Sequence, residues 1–218
     1  MSSLDRFSQV VAWSAIVVLA VAACGVTDGD ETASTGPTST QPTSSETAPP
    51  VADVTLLPTG LGVVSFGEAA DTALPLLEQA LGRQPTSDRT ETGDLPGGYG
   101  GRNTTVRFVD FNGLSLVFTS WPYYRDDGVV HLIAWGASGT GAGELSTPEG
   151  IRPGSTVDDL RAAYGDQLSL PDEPDECTGL WHFFVGPTIN GLHGTLDGPA
   201  SDPATSVTTI GAGAQSTC

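Results

Sequence analysis

Two Asn-Gly dipeptides, Asn112-Gly113 and Asn190-Gly191, each sit between runs rich in apolar residues. They restrict the fold of this chain more than any other feature. A two-residue type I′ turn needs positive φ at both central positions, and Asn-Gly tolerates that best, so each dipeptide predicts a β-hairpin. The first would join residues 106–111 to 114–118, the second residues 180–189 to 192–196. A two-residue turn in the second hairpin sets Leu192 opposite Ile189 and His193 opposite Thr188. The apolar alternation nominates Val109, Phe111, Leu114, Leu116 and Phe118 for the core, with Phe183, Val185, Ile189, Leu192 and Leu196 from the second hairpin.

Helical punctuation precedes each hairpin. In residues 155–165, Ser155 or Thr156 can cap the N-terminus, acids occupy the first turn, Val157, Leu160 and Tyr164 recur at helical spacing, and Gly165 ends the run. Ala70, Ala73, Leu74, Leu77 and Leu81 repeat that spacing before Gly82, interrupted by Pro75, which either kinks the helix or delays its start beyond Asp71. A further strand follows each hairpin, over residues 128–136 and 206–213. Gly82 and Gly165 lie 83 residues apart, Asn112 and Asn190 78, Ile133 and Ile210 77. A nearly constant offset is the mark of an internal repeat. The expected fold is therefore α+β, two tandem copies of a short helix packed on an antiparallel β-meander, over residues 53–139 and 140–218, with Gly136-Ala137-Ser138-Gly139-Thr140 as the linker between them.

A glycine, a small or hydroxylated opening, a short amphipathic helix, a closing glycine and a strand meander resemble the BamE-type lipoprotein domain. The tandem form resembles the fold of the β-lactamase inhibitory protein. The resemblance is carried by Gly154 and Gly165 with the helix between them, less closely by Gly67 and Gly82, and extends in outline over most of residues 60–214. It implies protein–protein contact in the cell envelope and transfers no binding residue.

The N-terminus supplies an address. One cation, Arg6, precedes an apolar run of about 14 residues (10–23), where crossing a bilayer takes roughly 20. That is the length of a signal-peptide core, and Val21-Ala22-Ala23-Cys24 resembles the box of bacterial lipoproteins, in which cleavage precedes a cysteine that receives a diacylglycerol. Residues 1–23 then form a signal peptide and Cys24 carries the lipid (palmitate among its acyl chains), placing the protein outside the cytoplasm on the cell membrane. Residues 24–52 are Thr, Ser, Pro, Gly and acids with almost no large apolar side chain, a disordered linker spanning on the order of 30 Å. In an oxidising compartment the remaining Cys177 and Cys218 predict a disulfide, worth roughly 4 kcal/mol for a loop of about 40 residues, the alternative being two free thiols.

Charge excludes several functions. Lys and Arg total 8 against 26 Asp and Glu, a net charge of −18, and no residue is lysine. Nucleic acid and anionic lipid surfaces both require clustered cations, so neither is an expected partner. Walker loops, Schiff bases and Ser-x-x-Lys pairs all need lysine. The segment around Ser138 misses the Gly-x-Ser-x-Gly elbow by one position, and no His-Glu-x-x-His occurs. No catalytic residue, cofactor or metal site is expected, and a hydrolase would need residues assembled in space. His182 and His193, roughly 20 Å apart along the expected hairpin, are too distant to share a metal. Asp172, Glu173, Asp175 and Glu176 form an acidic loop that could offer oxygen ligands to calcium, though without an EF-hand spacing.

The most suggestive surface is aromatic. Trp121, Tyr123 and Tyr124 with Arg125 combine the residue types enriched at binding hot spots. Tyr123 and Tyr124 are adjacent and cannot both face inward from extended backbone, whereas Trp135 and Trp181 read as core. The function that follows is an extracytoplasmic, lipid-anchored module binding an envelope protein, or alternatively cell-wall glycan.

Overall fold

The first Asn-Gly dipeptide turns as its chemistry requires. Asn112 has φ 55° and Gly113 φ 95°, and the strands on either side, β2 (Thr104–Asp110) and β3 (Leu114–Thr119), pair antiparallel with Val109 opposite Leu116. In the computed structural model the described residues are 54–93, 104–122, 124–187 and 191–214. The signal peptide, Cys24, the linker, Tyr123, Ile189, Asn190 and Cys218 lie outside them.

Among the described residues eight strands form one antiparallel sheet. Besides β2 and β3 these are β1 (Ser87–Gly93), β4 (His131–Ser138), β5 (Leu168–Ser169), β6 (Trp181–Val185), β7 (Leu192–Leu196) and β8 (Val207–Gly213). Their spatial order is β1-β2-β3-β4-β8-β7-β6-β5. This overturns the expectation of two tandem helix-on-meander copies. Over the described residues the protein is mainly β, one continuous sheet with two short α-helices, α1 (Ala70–Leu81, 12 residues) and α2 (Val157–Tyr164, 8 residues). The join is β4 to β8, with Gly136 opposite Gly211 and Ala137 opposite Ile210. Separate meanders would expose four strand edges, whereas fusion leaves β1 and β5 as the two edges among the described residues. Gly136 to Ser138, expected as a linker, are the end of β4 at the middle of the sheet. Glycine usually weakens a strand, which is why the run reads as a loop; here small residues on both strands face each other across the join.

Alternation places Val109, Leu116, Phe118, Leu132, Trp135, Ile210, Leu192, Leu196, Phe183 and Val185 on one sheet face, and all are buried in a single apolar cluster. Ala70, Ala73, Leu74 and Leu77 of α1 and Val157, Leu160 and Tyr164 of α2 join that cluster, so both helices cover this face. Helix α1 starts at Ala70 and contains Pro75, so a start beyond Asp71 is corrected. Thr156 caps α2: its hydroxyl accepts from the Asp159 N–H and the Asp159 carboxylate accepts from the Thr156 N–H, a reciprocal box. Trp135 is buried and donates its indole N–H to the Leu57 carbonyl at 2.9 Å.

The second hairpin differs from expectation. Leu192 pairs with Val185 and His193 with Phe184, so the connection spans residues 186–191 rather than two residues. The reason is Pro187, which has no N–H for the ladder, preceded by Gly186 at φ 74°. Polar β1 gave no alternating signal in sequence; it is held by cross-strand partners. Arg107 grips the Asp88 carboxylate with two bonds of 2.7 and 3.0 Å, and Arg89 lies 4.5 Å from the centre of the Phe108 ring.

Candidate functional site

The connection from β3 to β4, residues 120–130, carries the aromatic residues singled out in the sequence. The Tyr124 N–H donates to the Trp121 carbonyl at 2.9 Å, closing a turn that brings the two rings to 5.8 Å between centroids at 56°. Tyr124 is half exposed and Val129 is 41% exposed, so the turn presents apolar surface to solvent. Arg125 is exposed beside them, its Nη1 donating to the Gly67 carbonyl at 3.4 Å. The structure thus brings Trp121, Tyr124 and Arg125 together. The burial that Tyr124 does retain pushes its hydroxyl above its ordinary range.

This loop is braced from below. The Asp127 carboxylate accepts from the Val129 N–H at 2.9 Å and lies 2.9 and 3.0 Å from Nε2 of His131. Those two bonds, the Val129 one first, hold Asp127 below the usual carboxylate range. His131 is buried, and its Nδ1 lies 3.0 Å from the Gly67 carbonyl, just before α1. Carbonyl and carboxylate can only accept, so a ring N–H of His131 is the donor wherever one of these contacts is a hydrogen bond. Backbone bonds stitch the same junction: Gly67 N–H to Leu132 carbonyl, Leu132 N–H to Glu68 carbonyl, and Ala70 N–H to Val130 carbonyl, all 2.8 to 2.9 Å. From the sequence alone, no role falls to His131, Asp127 or Val129. The four-residue spacing of Asp127 and His131 across an Asp-Gly turn was the signal available. A histidine bonded to a carboxylate is also one component of a hydrolytic triad, but here the second ring nitrogen of His131 lies against the Gly67 carbonyl rather than a hydroxyl or thiol.

The other nominated residues lie elsewhere. With the corrected register, His182 stands opposite Thr195 and His193 opposite Phe184, all on the sheet face away from the helices. The expected separation of roughly 20 Å does not hold; the two histidines are diagonal neighbours. His182 lies parallel to the Phe184 ring at 6.2 Å. His193 is largely buried, its Nδ1 without a partner, and burial together with His182 lowers its pKa to about 4. Among the described residues no group of three or more His, Cys, Asp or Glu is placed to hold a metal ion. Asp172, Glu173, Asp175 and Glu176 are exposed, and the Asp175 carboxylate accepts from the N–H groups of Cys177 and Thr178. Cys177 is disulfide-bonded; Cys24 and Cys218 both lie outside the described residues. Trp181, expected in the core, is only partly buried, at the edge of the apolar cluster. Ser138 is a strand residue of β4, paired with Thr209 of β8.

No helix among the described residues is long and apolar enough to cross a membrane. No protein-family model, no curated protein and no solved structure matches this chain.

Proposed function

We propose that this protein is a lipid-anchored, extracytoplasmic binding module that engages a protein partner through Trp121, Tyr124 and Arg125. The observation that carries this reading is the Trp121–Tyr124 pair, with Tyr124 half exposed and Trp121 partly buried, on a loop whose base is locked by buried His131. A partner meeting a pre-ordered aromatic surface loses less conformational entropy than one meeting a mobile loop. Trp, Tyr and Arg are the side chains that most often dominate interface energetics. The rings are tilted at 56° rather than coplanar, which suits a protein surface better than the flat face of a sugar. The signal box ending at Cys24 and the acidic linker supply the anchoring part of the proposal.

The test is crosslinked capture from bacterial envelopes, comparing the unsubstituted chain with Trp121→Ala and Tyr124→Ala. Each substitution is expected to weaken capture about 30-fold, the effect of a hot-spot residue worth roughly 2 kcal/mol, with little change in melting temperature. Equal capture by all three chains would refute the assignment. Co-sedimentation with peptidoglycan, lost in the same two variants, would assign the surface to cell-wall glycan instead. Release of the protein from membranes by Cys24→Ala tests the anchor separately.

A further inference from the structure

A second site is formed where the end of α1 faces the segment after β4. The two enclose a cleft of about 440 Å³, lined by Ala80, Leu81 and Arg83 on one side and by Glu144 and Ser146 on the other, with Thr55 beside them. It shares no residue with the aromatic surface.

Arg83 stands apart from the other arginines of the described residues. Arg89, Arg107, Arg125 and Arg161 each have a carboxylate within 4.0 Å, and Arg152 donates to the Gly143 carbonyl at 3.2 Å. Arg83 makes one long bond, from Nη2 to the Gly141 carbonyl at 3.5 Å, and its Nε is buried without an acceptor. Its place just after the helix-ending Gly82 favours a cation through the helix dipole, but that does not supply the missing acceptors. Glu144 lines the same cleft, is exposed, and has no ion pair among the described residues. Opposite charges that share a cleft yet stay more than ion-pair distance apart leave room for a molecule that meets both. In a chain of net charge −18, a guanidinium whose Nη groups make a single long bond is the group most able to hold an anion.

We propose that this cleft binds a zwitterionic ligand of amino-acid or dipeptide size, its carboxylate on Arg83 and its ammonium on Glu144. A planar guanidinium matches a carboxylate through paired N–H donors. A ligand bearing only negative charge meets repulsion from Glu144, and one bearing only positive charge meets it from Arg83, so both charges are needed. The cleft volume lies within the usual range for small-molecule sites, about 300–1,000 Å³.

The experiment is an NMR titration of the intact chain with L-alanyl-L-alanine, and in parallel with acetate and with ethylamine, which carry one charge each. The dipeptide is expected to give saturable shifts of the amides at residues 80–83 and 144–146, and each single-charge probe to bind at least about tenfold more weakly. Arg83→Gln and Glu144→Gln should each weaken the dipeptide about tenfold, and Arg152→Gln should not. No saturable shift up to about 10 mM dipeptide overturns the proposal. So does acetate binding as tightly as the dipeptide, or dipeptide binding unchanged in both cleft variants. The probe comparison uses the unsubstituted chain, so it decides the question even if a variant fails to fold.

Discussion

Consider a shift from pH 7 to pH 5 applied to this protein and to its His193→Gln variant. His193 projects from β7 onto the sheet face away from the helices, directly beside Gly211 of β8; a methyl group at Gly211 would sit 3.3 Å from its Nε2. Its Nδ1 is cut off from water with no partner. Burial, reinforced by His182, lowers its pKa from the ordinary 6.5 to about 4. The folded value lies below the unfolded one, so the unfolded chain binds the proton more readily between them. The stability tied to this residue is therefore full above pH 6.5, declines as the pH falls towards 4, and declines no further below it. Between pH 7 and pH 5 the two binding curves differ by roughly 2 kcal/mol. For a domain of this size that is a fall of about 4–7 °C in melting temperature. The carboxylates of Asp88, Asp110, Asp127, Asp159 and Asp175 are all held below 3.8, so their loss of stability belongs to lower pH. Thermal unfolding of both chains at the two pH values is the assay, and the difference between chains removes every titration they share. The unsubstituted chain should lose the extra 4–7 °C and the variant should not. Equal losses would refute the argument that a buried, neutral His193 links folding to pH.

Two further outcomes follow from the packing. Thr156→Ala removes half of the reciprocal box at α2 and should cost about 1 kcal/mol, read as a fall of a few degrees in melting temperature; an unchanged value would mean that tertiary packing alone sets the start of this helix. Gly194→Ala should be far more damaging, because a methyl there overlaps both the Thr209 carbonyl and the Phe183 ring at the centre of β7; a variant melting within a degree or two of the unsubstituted chain would contradict that geometry.

The sequence marked the local turns well where one residue pair decides the geometry. Asn112-Gly113 turns because both positions adopt positive φ, and Thr156 caps because its hydroxyl reaches the N–H of Asp159. It failed where a distant strand decides. The Gly136 segment reads as a linker until β8 is placed beside it, and β1 gives no strand signal until Arg107 and Phe108 are placed beside Asp88 and Arg89. The register of the second hairpin was misread for a local reason: β6 ends at Val185, two residues before Pro187, which has no N–H to continue the ladder. Of the candidate surface, Trp121, Tyr124 and Arg125 could be nominated from residue type alone, but not the brace formed by Asp127 and His131, since nothing local shows that Gly67 lies beside them. The cleft of Arg83 was not legible at all, because its two walls come from segments about 60 residues apart.

By itself, then, the amino-acid order determined the apolar periodicities, the helix caps and the first tight turn, all set by interactions within a few residues. Only the tertiary structure decided that the two strand groups share a single sheet, that His182 and His193 are neighbours, and that a buried histidine steadies the aromatic loop. Each of these depends on backbone hydrogen bonds or burial between segments far apart in the chain, and no local pattern encodes which of several competent partners a strand will find.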